Sequence, residues 1–212
     1  MSKRTVKKRK EKGIGDRLDL GPYHKICADL WQWRMDDFIR EMEEGKILGF
    51  VRGLHFSTQL IYAIRELITQ QTSLKVDWGH LLDKSKKHCS RECDIIIHNG
   101  ARNRWNGHEK PIMDFKFVEQ ENAVVVISCK SYLRSGCVDK QYVTCMEPFV
   151  KRVWLIAECC EPGHIKGIKR QAQDAGYENF WFMYKWSRKK GGRENNEAGW
   201  LDFVKKLRKL KA

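Results

Sequence analysis

Spacing of the apolar residues changes along the chain and marks out its elements. Cys27, Trp31, Met35, Phe38 and Met42 recur at helical intervals among acids, which predicts an amphipathic helix that stops near Gly45. A second helix is predicted with Ser57 as N-cap and Phe56, Leu60, Ile64 and Leu67 as its buried stripe, leaving Gln59, Tyr62 and Glu66 together on a neighbouring face. The period then shortens to two. LKVDWG (74–79) alternates like a strand, CDIII (93–97) is rich in β-branched residues, and Asn99-Gly100 and Asn106-Gly107 are turn signals.

The run AVVVI (123–127) predicts a central strand buried on both faces. A short helix follows at 139–147, then RVWLIAE (152–158) as a strand. Ile165, Ile168, Ala172 and Ala175 mark a helix that Gly176 can close. FWFMY (180–184) is the last predicted strand, KKGGRENNEAG a polar loop, and GWLDFVKKLRKLKA a basic amphipathic helix. The order of helices and strands gives an α/β fold, a sheet with helices on both faces. No internal repeat is present.

At 212 residues with 42% hydrophobic content, the chain fills one sizeable core. The expected organisation is a basic, flexible tail over 1–20 and a single domain over 21–212. No run of about 18 apolar residues suggests a membrane span, and the basic start MSKRTVKKRKEKG lacks the apolar stretch of a secretion signal, so a cytoplasmic protein is expected. The net charge of +14 is concentrated at the ends. Residues 1–12 hold seven Lys/Arg against one Glu and residues 185–212 hold ten against three, while the body is nearly neutral. Two basic extensions on a neutral body suit contact with a phosphate backbone, and equally suit a solubilising tail and a solvated helix face. Eight cysteines in a chain of this size predict reduced thiols. His88, Cys89 and Cys93, taken with Cys159, Cys160 and His164, match no standard zinc spacing.

The candidate chemistry sits where the apolar strand ends, in AVVVISCKSYLRS (123–135). Alternation puts Val124, Val126, Ser128 and Lys130 on one face of that strand. A lysine there is costly to bury unless a partner or a task holds it. Asp94 enters the strand of isoleucines with no packing role of its own. If the two strands pair, an acid and a lysine meet at one spot, which suits either a hard metal ion with water beside it or a structural ion pair.

An aspartate opening a strand, followed about thirty residues later by an apolar strand ending in acid-x-Lys, resembles the signature of the PD-(D/E)xK nuclease superfamily. Here Ser128 replaces the acid. SCKSYLRS resembles the Ser-x-Lys form found in type II restriction endonucleases that read sites with a CCGG core. The resemblance implies a restriction-endonuclease-like central mixed β-sheet flanked by helices, and Mg²⁺-dependent hydrolysis of phosphodiester bonds in double-stranded DNA by a homodimer or higher homo-oligomer. It makes Lys130 the motif lysine and Arg134-Ser135 a DNA-contacting pair. In that subgroup the missing acid comes from the following helix, where Glu147, seventeen residues past Lys130, is the only glutamate in the matching segment. Asp94 and Glu147 are thereby the implied metal ligands, Ser128 an outer contributor, and Glu66 or Gln59 an auxiliary site. The subgroup's base-reading Arg-Ser-Asp-Arg stretch is RSGC here, so the CCGG target does not carry over.

Arg102 and Arg104, with Trp105 between two turn signals, form a loop that can enter a groove or simply be a solvated hairpin. Two other functions fit the same sequence: a catalytically inactive DNA-binding module of nuclease fold, and a structural RNA-binding protein using its basic ends.

Overall fold

The computed structural model describes residues 14–36, 49–69, 73–100, 115–187 and 192–211. A mixed sheet of eight strands forms its centre: β1 (Lys75–Asp83), β2 (His88–Cys89), β3 (Cys93–His98), β4 (Phe115–Glu119), β5 (Ala123–Leu133), β6 (Val153–Cys160), β7 (Asn179–Trp186) and β8 (Arg193–Asn195). Five described helices flank it: α1 (Ile14–Met35), α2 (Gly49–Thr69), α3 (Lys140–Met146), α4 (Ile165–Asp174) and α5 (Glu197–Leu207). The sheet changes character at β5. On one side β3 and β1 continue it in antiparallel fashion, and on the other β6 and β7 run parallel to β5.

Alternation along β5 divides the core in two. Val125, Ile127 and Cys129 face α1, α2 and α5, where they pack with Ile64, Trp154 and Phe203. Val126 faces the opposite layer, built by Tyr142, Val143 and Met146 of α3 and by Ile168 and Ala172 of α4. All eight residues of β6 are buried, as expected for a strand covered on both sides. The helices that connect β5 to β6 and β6 to β7 therefore lie in one layer, the ordinary arrangement of parallel crossovers.

Several predicted boundaries move. α1 starts at Ile14, inside the stretch assigned to the tail, and ends at Met35; Phe38 and Met42 lie outside the described residues. Ser57 is not an N-cap, because α2 begins at Gly49. The Ser57 hydroxyl instead donates to the Leu54 carbonyl one turn back, which satisfies it within the helix. β2, β4 and β8 were not predicted. β8 lies within the expected polar loop, as a short edge strand of mostly exposed residues.

Candidate active site

β3 pairs with β5 only as far as Ile95 opposite Ile127, so from Ser128 onward β5 has β6 alone as a described partner. The sheet forks at this point, and Lys130 stands on the unpaired edge, half-buried, in register with Ala157 of β6. Ligands of open α/β sheets gather in such crevices at the carboxyl ends of strands where the topology switches.

A bulge aims Asp94 into the fork. Between the pairs Gly79–Cys93 and Asp77–Ile96, Trp78 is the one residue of β1 that faces both Asp94 and Ile95 of β3. An extra residue of this kind bends a strand and redirects its side chains. Asp94 Oδ2 then accepts the backbone N–H of Cys129 at 2.7 Å, across to the strand that carries Lys130. Burial raises the Asp94 carboxyl above the usual range, and the Cys129 N–H and the nearby Lys130 charge oppose that shift. Gly79 makes the local geometry possible. Its φ is +153°, and a Cβ there would stand 1.8 Å from the Lys116 carbonyl oxygen of β4.

Below Asp94 lies a group of hydroxyls. Ser128 is fully buried and its Oγ has no hydrogen-bond partner; the same holds for Tyr142 Oη. The Lys130 ammonium lies 6.0 Å from the centroid of the Tyr142 ring, at the limit of a cation–π contact. Tyr177 Oη donates to the Asp139 carbonyl at 3.1 Å, and Asp139 caps α3 by accepting the Tyr142 N–H at 3.1 Å. Tyr142 and Tyr177 are both held far above the ordinary phenol range, chiefly by burial, so they are neutral hydroxyls.

The implied site residues are thus only partly assembled. Asp94, Ser128 and Lys130 come together. Glu147 does not join them: it follows the last residue of α3, is exposed, and lines an open groove with Ala123 and Val124 at the opposite end of β5. Val124 and Lys130 are about 20 Å apart along the strand at about 3.3 Å per residue. α3 runs back along the sheet, so its first residues stay at the fork and its last leave it. Asp139, at the start of α3, is the acid of this segment that remains at the fork. Glu66 is exposed on α2, in the opposite layer from α3, next to the exposed Tyr62; Gln59 is half-buried on the same helix.

Arg134 and Ser135 are exposed in a turn just past β5. The turn is docked on α4 and the segment before it: Gln171 Nε2 donates to Ser135 Oγ, Gly136 N–H donates to Gln171 Oε1, and Ser135 N–H donates to His164 Nδ1. Arg102 and Arg104, like residues 1–12, lie outside the described residues.

The donor set is oxygen-rich: a carboxylate from Asp94, an orphan Ser128 hydroxyl and the nearby Asp139. Such a set fits Mg²⁺, which is commonly held by one or two carboxylates plus substrate phosphate oxygens. Among the described residues no group of three His, Cys, Asp or Glu side chains could hold a metal ion unaided. The candidate zinc residues are dispersed: His88 and Cys89 are exposed on β2, Cys93 is buried at the start of β3, and Cys159 and Cys160 point into opposite core layers. All eight cysteines are free thiols. No helix among the described residues is long and apolar enough to cross a membrane.

Tyr142, Tyr177 and Asp139 were not picked out as site residues by sequence reasoning. The one available signal was the position of Asp139 and Tyr142 at the start of the helix that follows the SCK strand.

No protein-family model and no curated protein sequence matches the chain. Solved structures do match it. NucC of P. aeruginosa ATCC27853 in its cAAA-bound form aligns with TM-score 0.59 at 9% identity, over 93% of this chain and 92% of that one. NucC of E. coli MS115-1 aligns at 8% identity in its cAAA-bound form, with TM-score 0.60 over 95% and 92%, and in its apo form, with TM-score 0.51 over 95% and 94%. The chain thus has a restriction-endonuclease-like α/β fold, a central mixed sheet flanked by helices, shared with NucC over almost its whole length.

Proposed function

We propose that the chain is a Mg²⁺-dependent endonuclease of double-stranded DNA, with its active centre at the fork between β3 and β5. The observation that carries this reading is the convergence of a bulge-aimed, buried carboxylate, Asp94, with a half-buried lysine, Lys130, that has no ion-pair partner among the described residues. A purely structural ion pair would bring the two into direct contact. Here they face the same opening instead, with Asp94 tied to the backbone.

Asp94 would hold Mg²⁺, with Asp139 rather than Glu147 as the second acid. When bound, the ion would supply Lewis-acid charge beside the scissile phosphate. Lys130 donates a hydrogen bond to the attacking water or to a phosphate oxygen and offsets the negative charge that develops in the transition state. Ser128 contributes an uncharged oxygen behind Asp94. Arg134 and Ser135, on the turn just past Lys130, are placed to meet the phosphate backbone, and the basic ends add contacts that position without specifying.

The SCK motif supports the type II restriction form of this activity, which acts at a fixed site and commonly as a homo-oligomer. The NucC likeness supports the fold without requiring a recognition sequence. The test is digestion of plasmid and phage DNA by the full chain in Mg²⁺ and in EDTA, with Lys130→Ala alongside. Because two of the NucC structures are cAAA-bound forms, cAAA is included as an added arm. Metal-dependent cleavage lost in Lys130→Ala is expected. Discrete bands would identify a restriction enzyme and a smear a non-specific nuclease. Equal cleavage by Lys130→Ala, or none by the wild type in any arm, overturns the reading.

A further inference from the structure

Two buried hydroxyls at the fork have no partner, Ser128 Oγ on β5 and Tyr142 Oη on α3. Orphan buried polar groups are rare in native folds, and each costs about 1–3 kcal/mol when left unmet. Packing gives no reason for them. The layer around them is apolar, formed by Val126, Val143 and Met146, and alanine and phenylalanine would fill the two positions without the penalty. The two hydroxyls share their surroundings: Tyr142 feels the charge of Asp94 and lies near Tyr177, and Ser128 acts on both Asp94 and Tyr177. Neither satisfies the other. Asp94 Oδ2 takes the Cys129 N–H, which leaves Oδ1 able to accept another donor.

We propose that Ser128 and Tyr142 hold one internal water beside Asp94, and that Tyr142 is through it a positioning residue for the Asp94 carboxylate. A buried water needs two to four polar partners, and Ser128 Oγ, Tyr142 Oη and Asp94 Oδ1 supply three. Each hydroxyl can donate and accept, so the water can receive from one and donate to the carboxylate without leaving an orphan. The substitution of Ser for the acid of the acid-x-Lys motif thereby acquires a role: a small hydroxyl leaves room for a water where a longer carboxylate side chain would fill the space. The water fixes the rotamer of Asp94 from below while the Cys129 N–H fixes it from the side. The part that concerns metal binding rests on the nuclease reading above; the water and the rotamer do not.

The experiment is a high-resolution crystal structure of the full chain and of Tyr142→Phe and Ser128→Ala, with thermal melts of each. The wild type should show a water within hydrogen-bonding distance of both hydroxyls and Asp94. Both variants should lose it, and in Tyr142→Phe the Asp94 carboxylate should leave the Cys129 N–H or split between rotamers. Calorimetric titration with Mn²⁺ should then show an affinity several-fold weaker in Tyr142→Phe. In cleavage assays kcat should fall about tenfold with KM for DNA unchanged, while the melting temperature holds. An empty cavity in the wild type, or an unmoved Asp94 in Tyr142→Phe, overturns the inference even if the enzyme cuts DNA. A wild type that holds the water and the rotamer but neither binds Mn²⁺ nor cleaves overturns the nuclease reading and leaves the water assignment standing.

Discussion

Asp94 on β3 accepts the backbone N–H of Cys129 on β5 at 2.7 Å, one residue before Lys130. This bond joins the antiparallel half of the sheet to its parallel half at the place where their pairing ends. It also sets a conflict. The site needs a charged carboxylate, whereas burial favours the neutral acid.

The conflict gives a prediction with a definite sign. Asp94 is raised in the folded state, so folding takes up its proton more readily than the unfolded chain does. Its neutral form is favoured as pH falls, and the penalty for its charge appears as pH rises through the folded-state value. Asp94→Asn keeps an oxygen for the Cys129 N–H and removes the charge. It should melt higher than the wild type at pH 7 to 8, by about 2 °C or more if the relief is about 1 kcal/mol. The gap should close on acidification to about pH 4, near the ordinary carboxylate range. The same variant should lose Mg²⁺-dependent cleavage by at least about a hundredfold. A variant less stable than the wild type at pH 8 would show that Asp94 is not held against its charge.

Glu147 and Asp139 separate the two ends of α3. Glu147→Gln should cut DNA at close to the wild-type rate across a Mg²⁺ titration, because Glu147 lines the groove at the far end of β5. Asp139→Asn should lower the rate by about a hundredfold or more and raise the Mg²⁺ concentration needed for half-maximal rate. The asparagine still offers an oxygen to the Tyr142 N–H, so the helix cap is largely kept. A strong defect in Glu147→Gln beside a silent Asp139→Asn would reverse the assignment.

How far the sequence revealed this site follows from the same residues. The meeting of Asp94 with Lys130 was legible because both sit on strands whose alternation is strict: Ile95 and Ile97 on one side, Val125 and Ile127 on the other, each in the α1–α2–α5 layer. The bulge was not legible, since its cause is the approach of the Lys116 backbone of β4 to Gly79, a contact between distant segments. Glu147 was misplaced because counting residues along the chain gives distance without direction. α3 has only seven residues, and about 10 Å of helix is enough to carry its last turn away from the fork. The Ser57 boundary failed for a related reason. A hydroxyl that caps a helix and one that bonds back within it look alike in sequence.

Gly79→Ala tests the bulge. Its Cβ would overlap the Lys116 carbonyl oxygen, a backbone atom that cannot step aside without breaking the parallel β1–β4 pairing of Trp78–Leu82 with Phe115–Glu119. The expected result is a loss of more than about 2 kcal/mol in denaturant unfolding, with faster exchange of the amides in that pairing than of those in β6. A stable variant with wild-type exchange would mean that β4 packs less closely than described.

The last prediction concerns the other face of the same strand. Arg34, in the last turn of α1, donates through Nη2 to Glu158 Oε1 at 2.6 Å and to the carbonyl of Ser131 at 3.2 Å, one residue past Lys130. Its guanidinium lies 4.5 Å from the centroid of the Trp186 ring, and Arg34 and Glu158 are 4% and 1% exposed. A buried pair of this kind adds little net stability compared with apolar residues, because desolvation offsets the attraction. Removing one partner strands the other charge in the interior. Arg34→Ala should therefore cost about 3–5 kcal/mol, and the joint variant Arg34→Met with Glu158→Gln should recover much of that loss. What the double variant should not recover is the hold on Ser131, where β5 has already lost β3 as a partner. Its amides around Lys130 to Leu133 should exchange faster than in the wild type while its melting temperature approaches normal. If stability and exchange return together, the pair serves the core alone and the strand end is held by β6.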